Sequence, residues 1–447
     1  MLSVKANLLA SRGHEVSIVV LRLKGRKPFF PIDPSVNIVD LSAPYLSLPG
    51  HSSSANATSD SPRTTVSSTV GSAASPATGS ASTESSASPV TSAAGNAASP
   101  ASCSARTESS ASPVSSAAGI TSVPATMASE RLKGSVRERL SRVVEMLNPD
   151  VCVSLCGPEV RILPAVAGGR PCVAEYHFSH DKFYRKYGGI FMYPYAWLRT
   201  HMLERAVSEY DCMVTLTEHD LPIWKRHCRR VERIFNPVTT PPGQVSRLAE
   251  KRMIAVGRLE DQKNFKDLVS AWSIVAERCP DWRLEIFGEG KLEHALRSQI
   301  ARLGLTGSVI LRGVVKDIAS EYSNSSALLM TSLHEGFPLA LVEASSFGLP
   351  LISYDCPTGP SEIIVDAGDG GDAGNVPAAT LDQAAGNSPN GYLVPVGDVR
   401  TLADRICRIA SDDNLRLRLG AASKASSRRF TPETIISAWE HLFFSLL

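Results

Sequence analysis

The chain has 447 residues, a 43% apolar fraction and a formal charge of only +2, from 46 Lys and Arg against 44 Asp and Glu. That length suits two domains with sizeable cores, and the balanced charge excludes the footprint of a dedicated nucleic-acid binder. Nine cysteines, odd in number and without a Cys-x-x-Cys pair, read as buried small hydrophobes in a reducing compartment. No signal peptide or apolar run of spanning length is found, so the expected location is cytoplasmic, with at most a peripheral hold on the inner face of the membrane.

Val4 to Arg12 has the character of a helix that ends at Gly13, and His14 to Arg22 (HEVSIVVLR) reads as a strand. A doubly wound domain usually opens on a central strand whose following turn faces the ligand. The expectation is therefore that the first strand of the N-terminal domain is missing, leaving a gapped sheet. Val36 to Leu41 is the next strand candidate.

Residues 51–128 are nearly all Ser, Ala, Thr, Gly and Pro, with no aromatic residue. Such a composition cannot bury enough apolar surface to offset its backbone entropy, so a disordered low-complexity insertion is predicted. It contains a duplication: Ala81 to Gly95 (ASTESSASPVTSAAG) recurs as Ala105 to Gly119 (ARTESSASPVSSAAG). Deleting Ser52 to Ala128 should accordingly leave stability nearly unchanged.

Beyond it, strands and helices alternate. Glu130 to Leu147 has helical spacing, Asp150 to Leu155 and Pro171 to Tyr176 read as strands, Tyr195 to Glu209 as a helix and Asp211 to Leu216 as a strand. Asn236-Pro237 breaks the pattern, which restarts at Arg252 with MIAVG, LEIFG, VILRG, ALLMT and LISY, each followed by a helical stretch. This order predicts parallel sheets covered on both faces. The expected division is a first domain over 1–236, a second domain over 237–430 with a loop insertion at 367–389, and a helix over 431–447 packing back on the first domain. Ligands favour the cleft between such domains.

Two stretches carry chemistry. In HEGFPLALVEASSFGLP (334–350), Gly336 frees a turn and Pro338 suits the start of a helix. A helix N-terminus offers free N–H groups and partial positive charge to a phosphate. Glu335 precedes that helix and Glu343 sits on its second turn. The second stretch, GRLEDQKN (257–264), follows the first strand of the second domain. Its Arg258 and Lys263 can nearly neutralise a diphosphate without a metal, and no Asp-x-Asp pair stands at a strand end.

GRLEDQKN, EGFPLALVE and SYDCPTGPSEII followed by NGYLVPVGD resemble the retaining family-four glycosyltransferases (glycosyl transferases group 1) of bacterial polysaccharide and lipopolysaccharide synthesis. The resemblance covers the chain outside its two insertions. It implies a GT-B fold, two Rossmann-like doubly wound domains with an interdomain cleft. It implies donor diphosphate binding by Arg258 and Lys263, helped by backbone N–H groups near Gly336, Phe337 and Leu339. Glu343 should meet the ribose and Glu335 the sugar hydroxyls. No cofactor and no metal is expected beside the nucleotide-sugar donor. A glycan or lipid-linked acceptor should bind the first domain, and nucleic acid is not an expected partner. The family often has Glu-His after the strand ending near Tyr176; here Glu175-Tyr176-His177 departs from it, leaving His177 as the candidate near the reacting sugar and His180 as runner-up.

Lys182 to Arg233 holds ten Lys or Arg against six Asp or Glu, a solvated face or a patch for anionic lipid head groups. Two rival readings stand beside the hexosyltransferase. One is a glycoside hydrolase using Glu335 and Glu343. The other is a truncated, inactive homologue that only binds nucleotide sugar or folds poorly.

Overall fold

The computed structural model describes residues 1–21, 31–43, 45–46, 64–68, 130–131, 134–187, 189, 191–240, 243–368 and 388–447. The first half runs α1 (Leu2–Ser11), β1 (Val16–Val20), β2 (Asn37–Asp40), β3 (Tyr45–Leu46), β4 (Thr64–Ser68), β5 (Glu130–Arg131), α2 (Val136–Leu147) and β6 (Val151–Ser154). It continues through α3 (Leu163–Val166), β7 (Cys172–Tyr176), α4 (Lys182–Lys186), α5 (Tyr193–Val207), β8 (Cys212–Thr215), α6 (Leu221–Trp224) and β9 (Val231–Arg233). Seven strands form one parallel sheet in the order β2-β1-β4-β6-β7-β8-β9, while β3 and β5 make a separate antiparallel pair.

Successive residues of a strand face opposite sides, and each side here has its own cover. Val16, Ile18 and Val20 of β1 pack with Ala6 and Leu9 of α1, whereas Val19 joins Val143 and Val144 of α2. The helix expected from Glu130 starts instead at Val136. Ser135 and Glu138 form a reciprocal capping box there, which satisfies two backbone donors and fixes the first turn.

The expected gap in this sheet is filled. Thr64–Ser68 lies parallel between β1 and β6, with Val66 opposite Ile18 on one side and Val153 on the other. The reading of residues 51–128 as wholly without structure is corrected at these five positions, and so is the expectation that deleting Ser52 to Ala128 is neutral, since that deletion removes a central strand. Two facing strand edges present unpaired N–H and C=O groups, a template for any tethered extended segment. Thr-Thr-Val-Ser-Ser has no Pro or Gly and includes three β-branched residues, which suit a strand. Residues 51–63 and 69–128 of that segment lie outside the described residues, as do 369–387 of the second expected insertion.

The second half runs β10 (Arg252–Val256), α7 (Phe265–Arg278), β11 (Arg283–Phe287), α8 (Glu293–Arg302), β12 (Val309–Gly313), α9 (Ile318–Ser323), β13 (Ala327–Met330) and α10 (Leu339–Ser346). After these come β14 (Leu351–Tyr354), α11 (Pro360–Ile363), β15 (Gly391–Val394), α12 (Val399–Ser411), α13 (Asp413–Ser426) and α14 (Pro432–Phe444). The sheet order is β12-β11-β10-β13-β14-β15, all parallel. The chain winds outward from β10 in one direction and from β13 in the other. The crevice beyond the carboxyl ends of β10 and β13 is thus the topological switch point, where open α/β sheets bind ligands.

The two halves are joined twice. The outgoing strand β9 leads through Phe235 to Val238, whose N–H donates to the Phe430 carbonyl on the returning chain at 2.8 Å. α14 then lies on the first sheet: Ile435, Ile436, Trp439, Leu442 and Phe443 are buried with Val16, Val151, Val173 and Val214. Among the described residues no helix is long and apolar enough to cross a membrane.

Candidate functional site

The switch point is built from two loops tied to each other. After β10, Asp261–Lys263 form a short 3-10 turn that ends at Asn264, whose left-handed backbone (φ 47) reverses the chain into α7. After β13, the Thr331 hydroxyl donates to the Lys263 and Asn264 carbonyls at 3.0 and 3.1 Å. The Gln262 amide donates to the His334 carbonyl at 2.8 Å, and Leu333 N–H donates to the Gln262 carbonyl at 2.9 Å. Thr358, after β14, donates its hydroxyl to the Glu335 carbonyl. Every backbone turn of the crevice is therefore held by a neighbouring strand end.

This frame sets Lys263 Nζ 2.6 Å from Glu335 Oε1, with both side chains largely shielded (18% and 9% exposed). Beside them α10 opens at Pro338 with no side-chain cap; Leu341 N–H donates to the Pro338 carbonyl at 3.0 Å, and the Leu339 and Ala340 N–H groups precede this first intrahelical bond. Pro338 is the cap residue rather than the first helical residue. Gly359 must be glycine here: its φ is 100, and a Cβ would meet the Pro338 ring at 2.4 Å. Gly288 packs against the Gly257 carbonyl, where a Cβ would come within 1.9 Å, so the loop after β10 is buttressed by the turn after β11.

The sequence candidates divide into three groups. Lys263, Glu335, Gly336 and the α10 start converge on the crevice. Arg258 stands at its mouth, 67% exposed and 3.2 Å from Glu260, a mobile-length cation not yet committed to a buried partner. Glu343 is turned inward: the Thr239 and Thr240 hydroxyls both donate to its Oε1, and Tyr322 donates to Oε2 at 3.1 Å. Burial raises its pKa against those hydrogen bonds, which lower it. Phe337, expected to serve through its backbone, also anchors the joint between the halves. Its buried ring stacks on Phe235 at 5.3 Å and meets Phe430 edge-on at 5.8 Å.

From the first sheet, the loop after β7 closes the crevice. A Cβ on Gly336 would meet the His177 carbonyl at 2.5 Å and the Phe178 Cα at 3.1 Å, so the two loops touch backbone to backbone. His177 Nε2 lies 3.3 Å from Glu175 Oε1, and Lys5 of α1 pairs with the same carboxylate. Burial alone would raise the Glu175 pKa, but Lys5 and His177 outweigh it and hold the carboxyl down at about 2. His177 is therefore oriented by a buried anion at the wall facing Gly336. His180 instead turns into its own half, with Nε2 2.9 Å from Glu204.

Sequence reasoning missed the groups that fasten this wall. Glu362 of α11 accepts the Glu218 N–H at 2.5 Å and lies 3.2 Å from Arg233, bridging the halves beside the crevice. Burial, then the charge of Arg185 on α4, lower the pKa of His334 in the loop after β13. None of these contacts leaves a local sequence signal, because each partner is over 100 positions away.

Residues 241–426 match the family described as Glycosyl transferases group 1. The chain is 30% identical over 193 residues to the amylovoran biosynthesis glycosyltransferase AmsD of Erwinia amylovora, covering 43% of this chain and 48% of that protein. Among solved structures it resembles sucrose-phosphate synthase from Thermosynechococcus elongatus (TM-score 0.59, 15% identity, 99% of this chain and 91% of that one). It also resembles the pneumococcal O-GlcNAc transferase GtfA in complex with UDP and GlcNAc (TM-score 0.51, 19% identity, 69% of this chain and 60% of that one). The chain spans less than two thirds of the length of the first curated relatives it matches. With two doubly wound parallel sheets and these structural likenesses, the fold is GT-B.

Proposed function

We propose that this chain, whose residues 241–426 match the family described as Glycosyl transferases group 1, is a retaining glycosyltransferase. It would move a hexose-type sugar from a nucleoside diphosphate to a glycan or lipid-linked acceptor in cell-surface polysaccharide or lipopolysaccharide synthesis. The observation that carries the reading is the shielded Lys263–Glu335 pair beside the uncapped start of α10 at the switch point. Lys263, Arg258 and the helix N–H groups supply the positive charge that a diphosphate leaving group needs, without a metal at that place.

In the proposed step the acceptor oxygen bonds to the anomeric carbon on the face from which the diphosphate leaves. The carbon–phosphate oxygen bond breaks with its electron pair going to the diphosphate, and a diphosphate oxygen takes the acceptor proton. Glu335 would hold the sugar hydroxyls and His177 would face the reacting ring from the opposite wall. Glu343 would take the ribose by exchanging its Thr239 and Thr240 hydrogen bonds for the sugar's. A hydrolase gains nothing from this arrangement: Glu343 is hydrogen-bonded inward, and Lys263 would have no anionic leaving group to meet.

The acceptor side fits an amphiphile. Phe191, Tyr193, Trp197 and Leu198 are exposed around the start of α5, beside Lys182 and Lys186 of α4. Burial and then Lys186 press the Lys182 pKa down to about 8. Such aromatic and basic side chains suit a peripheral hold on an anionic membrane from the cytoplasmic side.

The test is a panel of nucleotide sugars read by thermal shift and donor hydrolysis. One donor class should raise the melting temperature of the wild type and be hydrolysed. Arg258→Ala should weaken it by about 2 kcal/mol, the lower range for a charge-assisted contact, since this arm is exposed when free. If no nucleotide sugar stabilises the wild type, the reading is wrong. Gly336→Ala should also slow transfer roughly 100-fold, because its methyl must push the His177 loop away from the donor. Wild-type turnover in that variant would show that the backbone contact is not part of the working site.

A further inference from the structure

Three residues past His177, the chain turns away from the crevice into a cluster separate from the groups assigned to the donor. His180 lies in the loop after β7, Glu204 on α5, and His227 in the turn between α6 and β9. One ligand atom from each lies within 4.8 Å of the other two. His180 Nε2 stands 2.9 Å and His227 Nε2 3.4 Å from the same oxygen, Glu204 Oε1. His201, one turn earlier on α5, places Nδ1 3.4 Å from the other oxygen, Oε2.

Zinc holds imidazole nitrogen and carboxylate oxygen at about 2.0–2.1 Å, so ligand atoms on its tetrahedron lie about 3.3–3.4 Å apart. The His227 Nε2–Glu204 Oε1 spacing of 3.4 Å matches that edge, while His180 Nε2 at 2.9 Å stands at hydrogen-bond distance and would move outward by about 0.4 Å to ligate. The rings are also held in place. Trp224 packs edge-on against His180 at 5.0 Å, the His180 and His227 rings run nearly parallel (14°), and the backbone N–H of His180 donates to the Asp220 carboxylate at 3.3 Å, which fixes the loop rather than the ring. The three side chains are 16%, 15% and 29% exposed, shielded enough to favour a bound ion over water and open enough to admit one.

We propose that His180, Glu204 and His227 form a binding site for one divalent transition-metal ion, zinc by ligand type, with the fourth position left to water or to His201. As hydrogen bonds alone, both Nε2 atoms must carry protons to share one carboxylate oxygen. A metal ion bound at both Nε2 atoms takes the place of those two protons, and each imidazole then ligates as its neutral Nδ1–H tautomer. The ion would pin the loop that carries His177 to α5 and to the α6–β9 turn. It is a positioning site in the acceptor-side half, and it stands independently of the proposed transfer.

The test uses the untagged full chain stripped with chelator. It is titrated with Zn2+ by calorimetry and with Co2+ by visible absorption. One equivalent should bind, raise the melting temperature, and give Co2+ the visible band of a tetrahedral nitrogen and oxygen site. Glu204→Gln and His227→Gln should each weaken uptake by at least about tenfold and remove that band. His227 is the most exposed of the three, so its variant keeps the test valid if Glu204→Gln does not fold. Absence of uptake by the wild type, or uptake unchanged in the His227→Gln chain, overturns the site; the latter would place the metal on the protein's thiols.

Discussion

Lys263→Ala should weaken binding of a nucleoside diphosphate by about 2–4 kcal/mol, roughly 30- to 700-fold in Kd. Lys263 is only 18% exposed and its loop is fixed by Thr331 and Gln262, so no rearrangement brings another cation to its place. Arg258 at the mouth keeps part of the attraction, which is why binding falls without vanishing. Glu335→Gln should behave oppositely. It removes the carboxylate that competes with phosphate for Lys263, so nucleotide affinity is kept or improved. Turnover, however, should drop on the order of 100- to 1000-fold, the usual cost of removing one electrostatic contact at the reacting group. Calorimetry with the diphosphate and single-turnover assays with the donor separate the two effects. Equal nucleotide affinity in wild type and Lys263→Ala would remove Lys263 from the phosphate site.

The two loops that carry Lys263 and Glu335 were legible in the sequence because turn chemistry frames them, but the ion pair between the two side chains was not. Gly257, Gly336 and Pro338 punctuate strand-to-helix junctions, and a parallel sheet puts such junctions at its ligand-binding edge. The state of Glu343 was not legible. Its partners Thr239, Thr240 and Tyr322 come from the linker and from α9, so only the folded chain shows that its carboxylate starts hydrogen-bonded inward. The ring of Phe337 escaped for the same reason: local spacing places its backbone at a helix start, while Phe235 and Phe430 decide where the ring goes. The His180, Glu204 and His227 cluster has no motif spacing at all, since it draws on a loop, a helix and a turn.

β4 shows the opposite failure, a strand where composition argued for none. Periodicity detects a strand by the contrast between its two faces, and Thr-Thr-Val-Ser-Ser has almost no contrast. What selects it is the pair of open edges on β1 and β6, a property of the sheet and not of the segment.

Val66→Pro should therefore destabilise the protein by about 3 kcal/mol or more. Val66 is the middle residue of β4, facing Ile18 on one neighbour and Val153 on the other. Proline removes the N–H that one of those ladders uses, and its ring crowds the strand beside it; within sheets it is tolerated at edges, not at the centre. Deleting Thr64–Ser68 should cost at least as much, because β1 and β6 would again face each other across an unpaired gap. Deleting 75–124 instead serves as a length control, since changing loop length alters closure entropy only logarithmically. Urea unfolding of the three variants reads the outcome. The expected result is a lowered midpoint for Val66→Pro and for the five-residue deletion, with the control near wild type. A Val66→Pro chain that unfolds at the wild-type midpoint would mean that the centre of the first sheet is completed by something other than β4.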